Sequence, residues 1–381
     1  MARSAHISRP ARLALVAGSL AALALGAPLA AQDSATGDDR FATFAPAGEP
    51  IDHRIDYGIW DEAMRNLVIS MGPSLRQSAG RPDPGFGTRR QYGHVSRYRL
   101  EGTRIMFSFL DADIIASFSE YRRDLESVAE SVDIQSLSRN EQLAYWINLH
   151  NVAMVEQIAL AWPVRQPRDI KIGGVPLDEA RFITVEGIAM SPRDIREKIV
   201  YANWRDPRVI YAFWRGEIGS PSIQREAFNA DNVSRLLERG ARDFVNSLRG
   251  TQKRGDTLEV SDLYADVARF YFTDFDADLR AHLASHADED TAEILAATSR
   301  IDASIAERDI ADLAGGVREP SYTNITSDGV STSFRIPQSM ARLLAQREEK
   351  FQRVIRQGRT GTVTFSNIQL PGDAGEPGEV E

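Results

Sequence analysis

Trp60, Ala63, Met64, Leu67, Val68 and Met71 recur at three- and four-residue spacing. That pattern predicts an amphipathic helix, stopped by Gly72-Pro73. Leu110, Ile114, Phe118, Tyr121, Leu125 and Val128 predict a second helix. A third, over Leu143 to Val155, is apolar on nearly every face, so it belongs inside the core. It opens at Ser138-Arg-Asn-Glu141, the spacing of a capping box, in which hydroxyl and carboxylate satisfy backbone amides reciprocally.

Downstream the pattern shortens. Lys171-Ile-Gly-Gly-Val-Pro predicts a hairpin about Gly173-Gly174, and 182–185 a short strand. Ser191-Pro192-Arg-Asp194 starts a helix with Pro at its first position. The apolar run 209–214 reads as a buried strand or helical segment. Helices follow over 233–248 and from Leu263 through Leu283, then an acidic helical stretch. A strand is expected at 333–336, a helix at 338–356 and a strand at 362–365. No repeat of solenoid period occurs. The fold class is α+β: a mostly helical single large domain with a small central antiparallel sheet and a C-terminal appendage.

The N-terminal pattern has a different meaning. Arg3, Arg9 and Arg12 precede an apolar run from Leu13 to Leu25, followed by Ala30, Ala31 and the polar Gln32-Asp33. That order is a cleavable signal peptide over 1–31, too short for a comfortable membrane span. A linker follows over 32–50, then the α+β domain over 51–285, a helical and strand extension over 286–369, and a disordered Gly/Pro/Glu-rich tail over 370–381. The expected address is periplasmic or secreted, with no membrane insertion after processing. The chain has no cysteine, so its stability must come from its core rather than from disulfides. The formal net charge is -9. It moves to about -12 once the three arginines of 1–31 are removed. Such a balance argues against nucleic acid as a partner.

Several groups invite chemistry. Asn148 and Asn151 lie three apart on the buried helix, where an unpaired amide costs about 1–3 kcal/mol. They are expected to tie neighbouring backbone or to line a pocket; His150, between them, reads as a packing residue. His282 and His286 have metal-like spacing, but the metalloprotease pattern needs Glu at Leu283. Asp274, Asp276 and Asp278 imitate a calcium loop, yet the sixth position is Leu279 and the twelfth Ser285. They read as complements to a helix dipole. No metal and no cofactor is expected. Ser220, followed by Pro221, lies outside a nucleophile-elbow pattern.

Together, Glu141-Gln-Leu-Ala-Tyr-Trp-Ile-Asn148-x-x-Asn151, Arg181-Phe-Ile-Thr with the Ser-led helix, Asp206-Pro207-Arg208, Gly219-Ser220-Pro221 and the helix over 231–248 resemble the family called domain of unknown function 547. The resemblance covers roughly residues 95–275. The family pattern carries a His where this chain has Ile210, Cys where it has Arg215 and Ser220, and a Glu-His pair where it has Arg196 and Glu197. Those residues make thiol hydrolysis conceivable for the family, and none stands at its position here.

The resemblance therefore implies an exported binding or scaffold module, non-catalytic, for an envelope ligand or protein. Its expected pocket is built from Asn148, Asn151, Arg208, Arg215 and Ser220. Arg215 either holds an anionic group or pairs with Glu217. The alternative is a cell-envelope hydrolase acting on peptide or ester bonds, with Ser220 or Glu217 in place of the lost Cys.

Overall fold

The computed structural model of the protein describes residues 39–47, 50–82, 92–326 and 333–358. The expected signal peptide, residues 32–38 and 48–49 of the expected linker, the strand expected at 362–365 and the C-terminal tail lie outside the described residues. The described part of that linker is no spacer: Asp39–Phe44 is a 3₁₀ helix, and its Phe41 and Phe44 are buried in the main core.

At the centre is the helix Arg139–Ala161. Leu143 to Val155 are all buried, as expected of an apolar helix without a polar face. Ser138 accepts from the Glu141 amide (3.3 Å), but the reciprocal half of the capping box does not form. The Glu141 carboxylate instead accepts from Ile55 N (3.0 Å) and Ala230 N (3.2 Å), joining two distant loops to the helix start. The complete box occurs at Ser191 and Asp194, at the next Ser-led helix.

Against this helix pack Ala112–Ser131 and Val233–Val245; Phe275–His286 packs on Val233–Val245, and Asp262–Tyr271 on Phe275–His286. The first expected helix ends early, at Leu67. Val68–Ser70 turns into a strand that pairs with Thr103–Ile105, so Val68 and Met71 leave the helical stripe. β-Branched Val68 and Ile69 suit a strand once a partner is supplied from far along the chain. The helix expected to run from Leu263 through Leu283 breaks in two. Asp274 caps the second part by accepting from Ala277 N (3.2 Å), with Asp276 and Asp278 in its first turn. The run at 209–214 is largely a buried 3₁₀ segment, Pro207–Ala212.

The strands form antiparallel pairs and one three-stranded sheet. Lys171–Ile172 pairs with Val175–Pro176 about Gly173-Gly174, and Ile183–Val185 with Ile188–Met190. Tyr322–Thr326 pairs with Ser333–Pro337, directly before the helix Gln338–Arg356. Sequence reading did not find the three-stranded sheet: Thr251–Arg254 and Thr257–Ser261 form a hairpin, and Arg300–Ile305 adds in parallel.

The main core runs through Trp146, Tyr145, Trp214 and Phe244. A smaller core joins residues from both ends of the described chain: Ile69, Met71 and Met106 meet Leu313, Ile336, Met340 and Leu343.

Candidate functional site

Both asparagines of the central helix hold backbone. Asn148 donates to Phe228 O (2.7 Å) and accepts from Phe228 N (3.1 Å). Asn151 donates to Ala212 O (2.9 Å) and accepts from Trp214 N (3.0 Å). Of the two roles expected for these amides, the geometry is that of tying backbone, and neither side chain faces open space.

His150 extends the Asn151 network. Its Nε2 lies 2.9 Å from Arg196 Nη1, and its Nδ1 lies 3.0 Å from Asn151 Oδ1. A guanidinium only donates, so Nε2 accepts and the ring proton sits on Nδ1, donating to Asn151. Burial, reinforced by the Arg196 charge, pushes His150 down to about 3. The imidazole is neutral and both nitrogens are engaged.

Arg196 lies on a π-helical turn, Ile195–Val200, that continues from the capped start at Ser191. It forms a fork with Asp178, Nη1 to Oδ1 and Nη2 to Oδ2, both at 2.8 Å. Bidentate pairs of this kind are the strong ones. Burial opposes the Asp178 charge, yet Arg196, with Arg215 and Arg193, outweighs it and holds the carboxyl well below its usual range. The network runs without a break from the backbone of 212–214, through Asn151, His150 and Arg196, to an Asp178 carboxylate that reaches the surface.

Arg215 stands beside this fork. Its guanidinium pairs with Asp266 (2.8 Å) on the helix Asp262–Tyr271, and Asp266 is 54% exposed. Glu217, the other partner expected for Arg215, is instead held by Arg308 (3.0 Å) and Arg168 (3.5 Å). Tyr201 packs among Phe213, Phe270 and Tyr271. Its buried hydroxyl has no hydrogen-bond partner among the described residues, and it feels the charges of Arg196 and Arg215.

The loop between Arg215 and Pro221 is fixed from two sides. Gly216 has φ +83°, and a Cβ there would meet Ile158 of the central helix at 2.4 Å, so only glycine fits. Opposite, the segment 307–311 runs along the loop: Ile218 N donates to Asp309 O (2.8 Å), Gly219 N to Glu307 O (3.0 Å), and Ala311 N to Gly216 O (2.7 Å). Ser220 is buried. Its hydroxyl donates to Glu217 O (2.8 Å), which closes the turn. Among the described residues no histidine nitrogen hydrogen-bonds it; His94, His150, His282 and His286 bond elsewhere.

Arg208 lies apart from these groups. It pairs with Asp206 (2.7 Å) and Glu238 (3.3 Å). Glu238 in turn meets His286 (3.4 Å), and His282 bonds Tyr211 (2.8 Å), whose hydroxyl meets Tyr264 (3.1 Å). Each histidine of the pair thus has an organic partner, and no group of three or more potential metal ligands occurs among the described residues.

The structure therefore gathers Asn151, Arg215 and Ser220 along 212–220 and leaves Asn148 and Arg208 outside that group. It adds Asp178, Arg196, Tyr201 and Asp266. Arg196 was visible in the sequence only as a departure from a pattern. Asp178, Tyr201 and Asp266 carry no local signal, because only tertiary packing brings them to Arg215.

No described helix is long and apolar enough to cross a membrane. No curated protein and no solved structure matches the chain. Residues 134–245 match the family model described as "Protein of unknown function, DUF547", a span that contains the central helix, the Asp178–Arg196 fork and the Arg215–Ser220 loop. Over that span the chain is similar to DUF547.

Proposed function

We propose that the protein is an exported, non-catalytic binding module that holds an acidic group of an envelope ligand at Arg215. The observation that carries this reading is the pairing at the two arginines. Both terminal nitrogens of Arg196 are taken by a two-pronged bond to Asp178, so it serves to position. Among the described residues Arg215 has only the half-exposed Asp266 as ion-pair partner. An exposed pair of that kind is worth about 0–1 kcal/mol, so an incoming carboxylate or phosphate can replace it at little cost. The orphaned Tyr201 hydroxyl, close in charge terms to both arginines, supplies a second donor.

The positions also speak against turnover. In the family pattern residue 215 is a Cys and residue 196 belongs to the Glu-His pair; here both are guanidinium groups, which neither attack a carbonyl nor accept a proton. Among the described residues no histidine hydrogen-bonds Ser220, and general-base assistance is typically worth about 10²–10⁴-fold. Glu217 is raised by burial, but Arg308 and Arg168 occupy its oxygens.

Crystals soaked with cell-envelope fragments should show an acidic group on Arg215, and Arg215→Gln should remove it. Fluorophosphonate labelling at Ser220, or ester or peptide turnover that Ser220→Ala abolishes, would replace this reading with the hydrolase. Export predicts a mature N-terminus near Gln32 in mass spectra of envelope protein; an intact N-terminus in the membrane fraction would overturn the address.

A further inference from the structure

A second arginine-lined region lies away from Arg215, where the C-terminal helix Gln338–Arg356 begins. Two cavities adjoin there, sharing Tyr92 as a common wall. One, of about 230 Å³, is lined by Arg99, Arg342, His94 and Ser339. The other, of about 270 Å³, is lined by Arg165 and Arg318 together with Val164 and Gly316. Four arginines thus face the two cavities, and among the described residues no Asp or Glu lines either. In a chain of net charge -9 this is a local reversal of sign.

Two features of the first cavity call for a ligand. Arg99 is 4% exposed, and its bonds go to neutral acceptors: Gln346 Oε1 (2.9 Å) and Ser96 O (3.2 Å). Among the described residues no carboxylate pairs with it, and burial lowers its pKa. Buried charges are ordinarily paired, so a guanidinium in this state has room for an anion. Ser339 is the second feature. It is 8% exposed, lines the same cavity, and its hydroxyl has no hydrogen-bond partner among the described residues. It stands on the first turn of a 19-residue helix, where the backbone dipole also favours negative charge.

The surrounding groups agree. His94 is pushed down to about 3, by burial first and then by the charge of Arg104, with Arg99 and Arg165 adding to it. The field around it is therefore positive from both cavities. Glu319, the carboxylate at this helix start, accepts from Ser339 N (2.8 Å) and forms no part of either cavity wall.

We propose that these adjoining cavities bind a small anion, its phosphate or carboxylate head on Arg99, Arg342 and the Ser339 hydroxyl, its body passing Tyr92 toward Arg165 and Arg318. The site is independent of the one at Arg215. Only residues 163–165 of its walls fall in the family segment, so it belongs largely to this chain's own flanking regions.

Calorimetric titration of the purified protein with inorganic phosphate and with glutarate tests it. At least one should bind, and Arg342→Gln and Ser339→Ala should each weaken it about tenfold, the worth of one hydrogen bond to a charged group. The apo Ser339→Ala protein should melt no lower than the parent, because the change removes an unsatisfied hydroxyl rather than a contact. Arg215→Gln, whatever it removes at its own site, should leave in place the binding that Arg342→Gln and Ser339→Ala weaken. Two outcomes overturn the proposal. One is that neither anion binds. The other is that binding survives both Arg342→Gln and Ser339→Ala, including the case where only Arg215→Gln removes it.

Discussion

Arg196 and Arg99 are both buried guanidinium groups, 2% and 4% exposed, and each stands near a buried histidine. Around Arg196 the protein supplies its own counter-charge: Asp178 takes both prongs, and His150 accepts a second bond from Nη1 and links it to Asn151 and the backbone. Around Arg99 it does not. The bonds end on neutral oxygens, and a cavity lies where the counter-charge would be. A finished ion pair is part of the framework, whereas an unfinished one is a place for something to bind. The same distinction separates Arg196 from Arg215, whose single partner is half in solvent.

The largest expected effect tests what the two regions share. His94 and His150 both stay neutral when folded, at about 3, and His282 at about 4. Unfolded, each returns to about 6.5. The folded pKa is lowered, so the unfolded chain binds more protons below pH 6.5. Stability is then complete above that pH and declines as pH falls toward 4 and 3. At pH 5 each of the three should cost about 2 kcal/mol. Urea unfolding at pH 7 and pH 5 measures this, and pH-independent midpoints would show that the histidines are not buried neutral.

Next in size is the direct contrast between the arginines. Asp178→Ala leaves Arg196 buried without its counter-ion and should destabilise by about 3 kcal/mol, the low end for a broken buried pair because Asp178 reaches the surface. Arg99→Met removes a charge that has no carboxylate to strand and should change stability by less than about 1 kcal/mol. Equal losses in the two variants would erase the distinction. Smaller again, Asn151→Ala should cost about 2 kcal/mol by orphaning Ala212 O and Trp214 N and loosening His150. The smallest effect belongs to Ser220→Ala, about 1 kcal/mol for one turn-closing hydrogen bond. An undiminished denaturation midpoint there would mean that the hydroxyl is free for other work.

Sequence patterning reached the helices well because their signals are local. The central helix, the hairpin at Gly173-Gly174 and the helix beginning at Gln338 all stand where periodicity and turn residues put them. It failed where a distant partner decides. Val68 continues a helical stripe in sequence, but Thr103–Ile105 recruits it into a strand. Glu141 has box spacing from Ser138, but two unpaired amides at Ile55 and Ala230 compete for its carboxylate and win. The candidate site divides in the same way. The asparagines announced themselves as polar groups in an apolar helix, whereas Asp178 and Asp266 look like ordinary surface acids until the fold sets them against arginines.

The bond between Asn148 and Phe228 has a consequence for how the chain can vary. The carboxamide gives and takes one hydrogen bond with the backbone N–H and C=O of a single residue, as a neighbouring β-strand would, so it recognises main chain and is indifferent to which side chain stands at 228. Position 228 is then limited only by the space around it. Position 148 is limited by stereochemistry: Asp cannot donate, Gln places the amide one methylene too far, and Leu does neither. Under random mutagenesis with selection for folded protein, 228 should accept a range of apolar residues while 148 returns asparagine alone.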